Sequence, residues 1–262
     1  FCRKIGGDLV EVKVLIPPGA SPHVFEPSPA EMAGAFKARV FVYIGAGLEP
    51  WAARLLRARG PDNLVAVEAA RGVPLLNMAE PQHHLKEAAE GQPAGNPHIW
   101  LDPVLAQQIC RKIAAAFIQA DPAHRAQYTA NLQAYLAALA ALNQEIENHA
   151  KHWRQRDYVS FHPDLAYFAR RYGLHNVGTI EEAPGREATP RYLQNLVAAI
   201  QRFGIKVVFA EPQLNPRVAE VIAREAGAKV LRLDPLGGRP PYGSDYLKMM
   251  RYNLDILDQA LK

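Results

Sequence analysis

The chain has 262 residues, 49% of them apolar and 21% charged, and a net charge of +4 from 30 basic and 26 acidic side chains. That composition is globular and long enough for one or two buried cores, which excludes a disordered chain. The charge is spread without a block of like sign, which argues against a nucleic-acid footprint, and the longest apolar runs (40–48 and 134–142) are too short to cross a bilayer.

In chain order, Glu11 to Ile16 (EVKVLI) alternates like a strand and stops at Pro17-Pro18-Gly19. Ser28-Pro29-Ala30-Glu31 combines an N-cap, a first-turn proline and a capping-box Glu, and predicts a helix to about Lys37. Val40 to Ile44 predicts a buried strand, Trp51 to Arg59 a helix and Leu64 to Glu68 another strand. Residues 78–98 are polar, rich in Pro and Gly and aperiodic, and predict a long surface loop. Asp102-Pro103 opens a helix to about Gln119. Asp121-Pro122 opens a longer one, in which Tyr128, Leu132, Tyr135, Leu136, Leu139, Leu142 and Ile146 repeat at helical steps to about Lys151. Some thirty residues span about 45 Å.

The α/β rhythm then resumes: strands over 157–161, 206–210 and 229–233, and helices over 165–172, 190–203, 216–226 and 245–261. The expected fold class is α/β: two α/β lobes with mostly parallel sheets, residues 1–120 and 154–262, joined by one long rigid helix over 121–153. The ligand site is expected in the inter-lobe cleft.

Chemistry concentrates in the nine histidines, since two cysteines (Cys2 and Cys110) are too few for a disulfide framework or a Cys-type zinc site. For those two, one disulfide and two buried thiols are both open readings. His23 follows the EVKVLI segment, His98 ends the long loop, His162 follows the YVSF segment and Asp234 follows KVLRL. Ligand sites of open α/β sheets form at the carboxyl ends of strands. The four stand 64 to 75 residues apart, so they would form a site assembled by the whole fold. Three imidazoles and one carboxylate suit zinc, although spacing alone leaves solvated loop side chains as an open alternative. Between two similar Asp-Pro pairs, Asp102 precedes a helical pattern and reads as an N-cap. Asp234 precedes LGGRPPYG, which cannot be a helix, and is the better candidate ligand.

The segments IPPGASPHVFEPSPAEM, NPHIWLDP, SFHPDLAYFARRYGL and FAEPQLNPRVAEVIAREAGAKVLRLDPLG resemble, in order, those of the ZnuA/TroA-like metal-binding receptors of ABC importers. The resemblance implies two α/β lobes on one long helix and a metal ion between the lobes. It also implies the ligand set His23, His98, His162 and Asp234, with His rather than Glu at the third position favouring zinc over manganese. It implies a monomeric receptor without enzymatic activity, exported to the outer face of the cytoplasmic membrane or the periplasm. Such a receptor passes Zn2+ to a membrane permease. The leader and first strand are expected outside this chain, and Cys2 is expected inside a helix. Alternatives are a manganese or iron receptor of the same fold and a zinc hydrolase, the latter disfavoured by a closed four-ligand shell and the lack of an HExxH pair.

Glu211, in FAEPQ, is read as a contact to a ligating imidazole, with a salt bridge or a cap as the alternative. His83 and His84 read as a solvated loop pair or a weak extra metal contact. His149 and His152 read as a solvated helix end, His124 as a first-turn residue and His175 as a turn residue.

Overall fold

The computed structural model describes residues 1–59, 64–77, 95–181 and 188–262. The N-terminal half opens with a short helix, α1 (Cys2–Gly6). The EVKVLI segment that follows is not a strand. A strand needs a partner for its backbone groups, and none pairs with this segment among the described residues. Leu15 and Ile16 pack instead on a small core of Phe41, Trp51 and Leu55, and Val14 is 62% exposed.

Helix α2 (Pro29–Ala35) starts at the expected capping box, with Ser28 Oγ accepting from Glu31 N at 3.3 Å and Glu31 Oε2 accepting from Ser28 N at 2.7 Å. Strands β1 (Val40–Tyr43) and β2 (Val65–Glu68) pair in parallel, Val40 opposite Val65, and α3 (Pro50–Arg59) lies in the connection between them. Asp102 caps α4 (Pro103–Ala120), its Oδ1 accepting from Val104 N at 2.8 Å and Leu105 N at 3.3 Å.

The long helix starts later than its Asp-Pro pair suggests. Asp121 accepts from His124 Nδ1 (2.7 Å) and Tyr128 OH (2.9 Å) instead of capping, and Pro122–His124 form a tight 3-10 turn. Helix α5 then runs Arg125–Ala150, 26 residues, and buries the predicted face of Tyr128, Tyr135, Leu136, Leu139, Leu142 and Ile146.

The C-terminal half alternates β3 (Asp157–Ser160), α6 (Ala166–Tyr172), β4 (His175–Thr179), α7 (Pro190–Arg202), β5 (Val207–Ala210), α8 (Arg217–Ala226), β6 (Lys229–Arg232) and α9 (Tyr246–Leu261). Its four strands are parallel, in the order β4-β3-β5-β6. Strand β4 corrects the reading of His175 as a turn residue. HNVGT is a poor strand sequence by propensity, and it is recruited by pairing with β3, His175 opposite Asp157. Strand β5 is buried throughout, as an inner strand of a covered parallel sheet should be. Val208 and Ala210 belong to one core with Leu196, Ile200, Ala219 and Ile222, and Val207 and Phe209 to the other.

That other core is continuous across both halves. It runs from Ile5 and α4 through Leu139, Leu142 and Ile146 of α5 to Phe168 of α6 and to Leu254, Leu257 and Leu261 of α9. Both cysteines are free. Cys110 is fully buried, which pushes its thiol up to about 12, and burial also raises Cys2. Among the described residues no helix is long and apolar enough to cross a membrane.

Candidate metal centre

Three loops converge where the two halves meet. The first, after the EVKVLI segment, folds into two turns, with Ala20 N bonded to Pro17 O and Phe25 N to Ser21 O, each at 3.1 Å, and presents His23. The second ends in His98, directly before the 3-10 turn Ile99–Leu101 that leads to α4. The third leaves the end of β3 and carries His162, whose carbonyl accepts from Ser160 Oγ at 2.8 Å and Asp164 N at 2.9 Å. His98 Nε2 lies 3.0 Å from His23 Nε2 and 3.1 Å from His162 Nε2. Nitrogens bound tetrahedrally to zinc at 2.0–2.1 Å stand about 3.3 Å apart, so this spacing is within a few tenths of an ångström of a zinc site.

The far side of each buried ring decides which nitrogen is left for a ligand. Asn96 Oδ1 accepts from His98 Nδ1 at 2.8 Å and from His98 N at 3.0 Å, while its Nδ2 donates to Pro163 O at 2.5 Å. An amide oxygen only accepts, so His98 carries its proton on Nδ1 and turns the Nε2 lone pair to the cluster. Asn96 also joins the second loop to the third. His162 Nδ1 meets Glu211 Oε1, at the end of β5, so the reading of Glu211 as a contact to this imidazole agrees with its position. His98, His162, Asn96 and Glu211 are buried, and His23 is half-buried.

Burial sets the electrostatics. It lowers His98 well below the usual imidazole range, with the neighbouring His162 and His23 adding to the effect. It also lowers His162, and it brings His23 to about 4, helped by His162. Burial raises the Glu211 carboxyl well above its usual range, with Asp234 adding to it, and pushes Asp164 up to about 8, with Glu211 adding to it. The cluster thus favours neutral imidazoles, the protonation state a metal requires. Ser21, Pro22, Gln213, Leu214, Pro235 and Leu236 complete the wall of a cavity of about 10 Å³, room for one small occupant and too little for an organic solute.

The fourth expected ligand is placed differently. Asp234 is fully buried after β6, but it belongs to neither group of donors gathered within 4.8 Å of one another among the described residues, His23, His98 and His162 or His162, Asp164 and Glu211. Its Oδ1 accepts from Leu236 N (2.9 Å), Gly237 N (3.0 Å) and Gln213 Nε2 (2.7 Å), and its Oδ2 accepts from Tyr242 OH at 2.5 Å. LGGRPPYG needs no helix cap, but its turn uses the same carboxylate chemistry. Asn96, Gln213 and Asp164 join the site without having been among the residues expected there. The signals available were the Asn two residues before His98 and the Asp two residues after His162.

The remaining histidines have other partners. His149 is half-buried, not solvated, because Asp258 Oδ2 lies 2.6 Å from its Nδ1. His124 meets Asp121, His152 bonds Asn148 O at 2.9 Å, and His175 lies 3.2 Å from Asp157. His83 and His84 lie outside the described residues.

Residues 1–260 match the family model of the zinc-uptake complex component A, periplasmic. The chain belongs to this family. It is 31% identical over 267 residues to the high-affinity zinc uptake system protein ZnuA of Bacillus subtilis (strain 168), covering all of this chain and 84% of that one. A crystal structure of ZnuA superposes with a TM-score of 0.86 at 36% identity, covering 99% of this chain and 94% of that one. The laminin-binding protein Lmb of Streptococcus agalactiae, described as a bifunctional protein with adhesin and metal-transporting activity, superposes with a TM-score of 0.87 at 32% identity. That match covers all of this chain and 95% of that one. ZnuA-family proteins are substrate-binding receptors for metal uptake and not enzymes, with Zn2+ as the cargo.

Proposed function

We propose that this chain is an extracytoplasmic receptor that captures Zn2+ on His23, His98 and His162 and delivers it to the membrane permease of an ABC importer. The observation that carries this reading is the convergence of three Nε2 atoms, 3.0 and 3.1 Å apart in sequence, around a cavity of single-ion size. Three nitrogen donors favour zinc over manganese, which prefers oxygen. A divalent cation there offsets the cost of the buried Glu211 carboxylate, and Glu211 in turn holds the His162 ring.

The core shared through α5 supports capture with small lobe movements rather than wide hinge closure. Release then requires displacement of one ligand loop, and the half-buried His23 loop is the most accessible of the three. The test is a competition titration of purified metal-free protein with Zn2+ and Mn2+, with H98A as control. The expected result is one Zn2+ per chain, bound more tightly than Mn2+ and lost in H98A. Tighter Mn2+ binding overturns the metal assignment, and unchanged binding by H98A overturns the site.

A further inference from the structure

Three imidazoles leave one position of a tetrahedral ion open. Gln213 lines the same cavity as His23, His98 and His162. Its Nε2 donates to Asp234 Oδ1 at 2.7 Å. A carboxylate oxygen cannot donate back, so the amide orientation is fixed. Gln213 Oε1 is then a buried acceptor with no hydrogen-bond partner among the described residues. Such an orphan is uncommon and costly, and it calls for an explanation.

We propose that Gln213 Oε1 is the fourth donor to the zinc ion held by the three imidazoles, and that Asp234 is the positioning residue that holds the amide in that orientation. This rests on the zinc reading above. A cavity of about 10 Å³ holds a single centre, which favours a protein oxygen over a bound water on the open side. Asp234, with Leu236 N, Gly237 N, Gln213 and Tyr242 already on its oxygens, acts through Gln213. A neutral amide oxygen is also a weak zinc donor beside imidazole, which suits an ion that must leave again.

The test compares wild type, Q213L, D234A and Y242F by zinc affinity and by the visible absorption of bound Co2+, which reports the number and type of donors. Q213L keeps the bulk of the side chain and removes the oxygen. It is expected to weaken zinc about tenfold or more and to change the Co2+ bands. D234A, which removes the acceptor of Gln213 Nε2, is expected to change the bands in the same sense. Y242F, which leaves the Gln213–Asp234 bond in place, is expected to keep the wild-type spectrum. A Q213L protein with wild-type affinity and spectrum overturns the fourth-donor assignment while leaving the three-imidazole site intact. Wild-type D234A bands beside an altered Q213L overturn the role given to Asp234. The zinc reading itself is judged separately, by the wild-type and H98A titrations.

Discussion

His162 is bonded through Nδ1 to the carboxylate of Glu211, and both side chains are buried. The two come from the carboxyl ends of neighbouring parallel strands, β3 and β5, so the sheet itself sets the pair. The bond orients the ring and directs Nε2 toward His98. Removing the acceptor leaves the ring free to turn and a cation without its nearest counter-charge. E211L, which removes both the acceptor and the charge, should therefore weaken zinc binding by about 10- to 100-fold, the usual scale for a residue behind a metal-bound histidine. Isothermal titration of the two proteins checks this, and equal affinities would remove Glu211 from the site.

Asn96 plays the corresponding part for His98 and has a second role. Its Nδ2 bond to Pro163 O ties the second ligand loop to the third, and its backbone carbonyl accepts from Tyr167 OH at 2.7 Å. N96A should weaken zinc and also lower the stability of the metal-free protein by about 1–3 kcal/mol, because buried groups lose their partners. Chemical denaturation without metal separates the two effects. A variant that loses affinity at full stability would show that Asn96 acts on His98 alone.

The order of helices and strands was legible in the sequence because the apolar periods of α5, α7, α8 and α9 and the short Val-rich strands are strong local signals. EVKVLI misleads because its alternation is real but no strand pairs with it among the described residues, and β4 hides because its residues form a strand only when β3 pairs with them. At the site, His23, His98 and His162 stood out by their places after strands and loops. Asn96 did not, since an Asn before Pro reads as a turn former. Asp234 was legible as important but not in its hydrogen bonds, since excluding a helix cap leaves a turn cap open. Gln213 has no local signal at all; only the fold brings it to Asp234.

The lowered imidazoles predict how acid acts. His23 lies near 4 and His98 and His162 are below their ordinary value, all chiefly from burial. In the metal-free fold they therefore hold fewer protons in mild acid than three ordinary imidazoles, which would cost zinc affinity about ten-thousandfold between pH 7 and 5. Burial raises the Glu211 carboxyl well above its usual range, and a cation beside it favours loss of its proton. Affinity should thus fall less steeply than about ten-thousandfold over that pH interval, with fewer than three protons released per zinc, measured by titration in buffers of different ionisation enthalpy. Release of three protons would contradict the burial of the triad. The sign for stability follows from linkage. Between about pH 4 and 6.5 the unfolded histidines bind more protons than the folded ones, so this contribution to metal-free stability weakens as pH falls. The raised Glu211 and Asp164 act in the opposite sense, weakening the fold as pH rises toward about 8.

The continuous core predicts how the molecule unfolds. Leu139 on α5 is fully buried in a cluster that includes Ile5 and α4 from one half and Phe168 and α9 from the other. L139A leaves a cavity in that shared core and should cost about 2–5 kcal/mol. Because both halves lean on α5, the loss should move a single cooperative transition rather than split it. Scanning calorimetry of the metal-free protein and L139A provides the check. Two separated transitions in either protein would mean that the halves fold as independent units and that α5 belongs to only one of them. Zinc affinity should change little, since the imidazoles are held by Asn96, Glu211 and the loop turns.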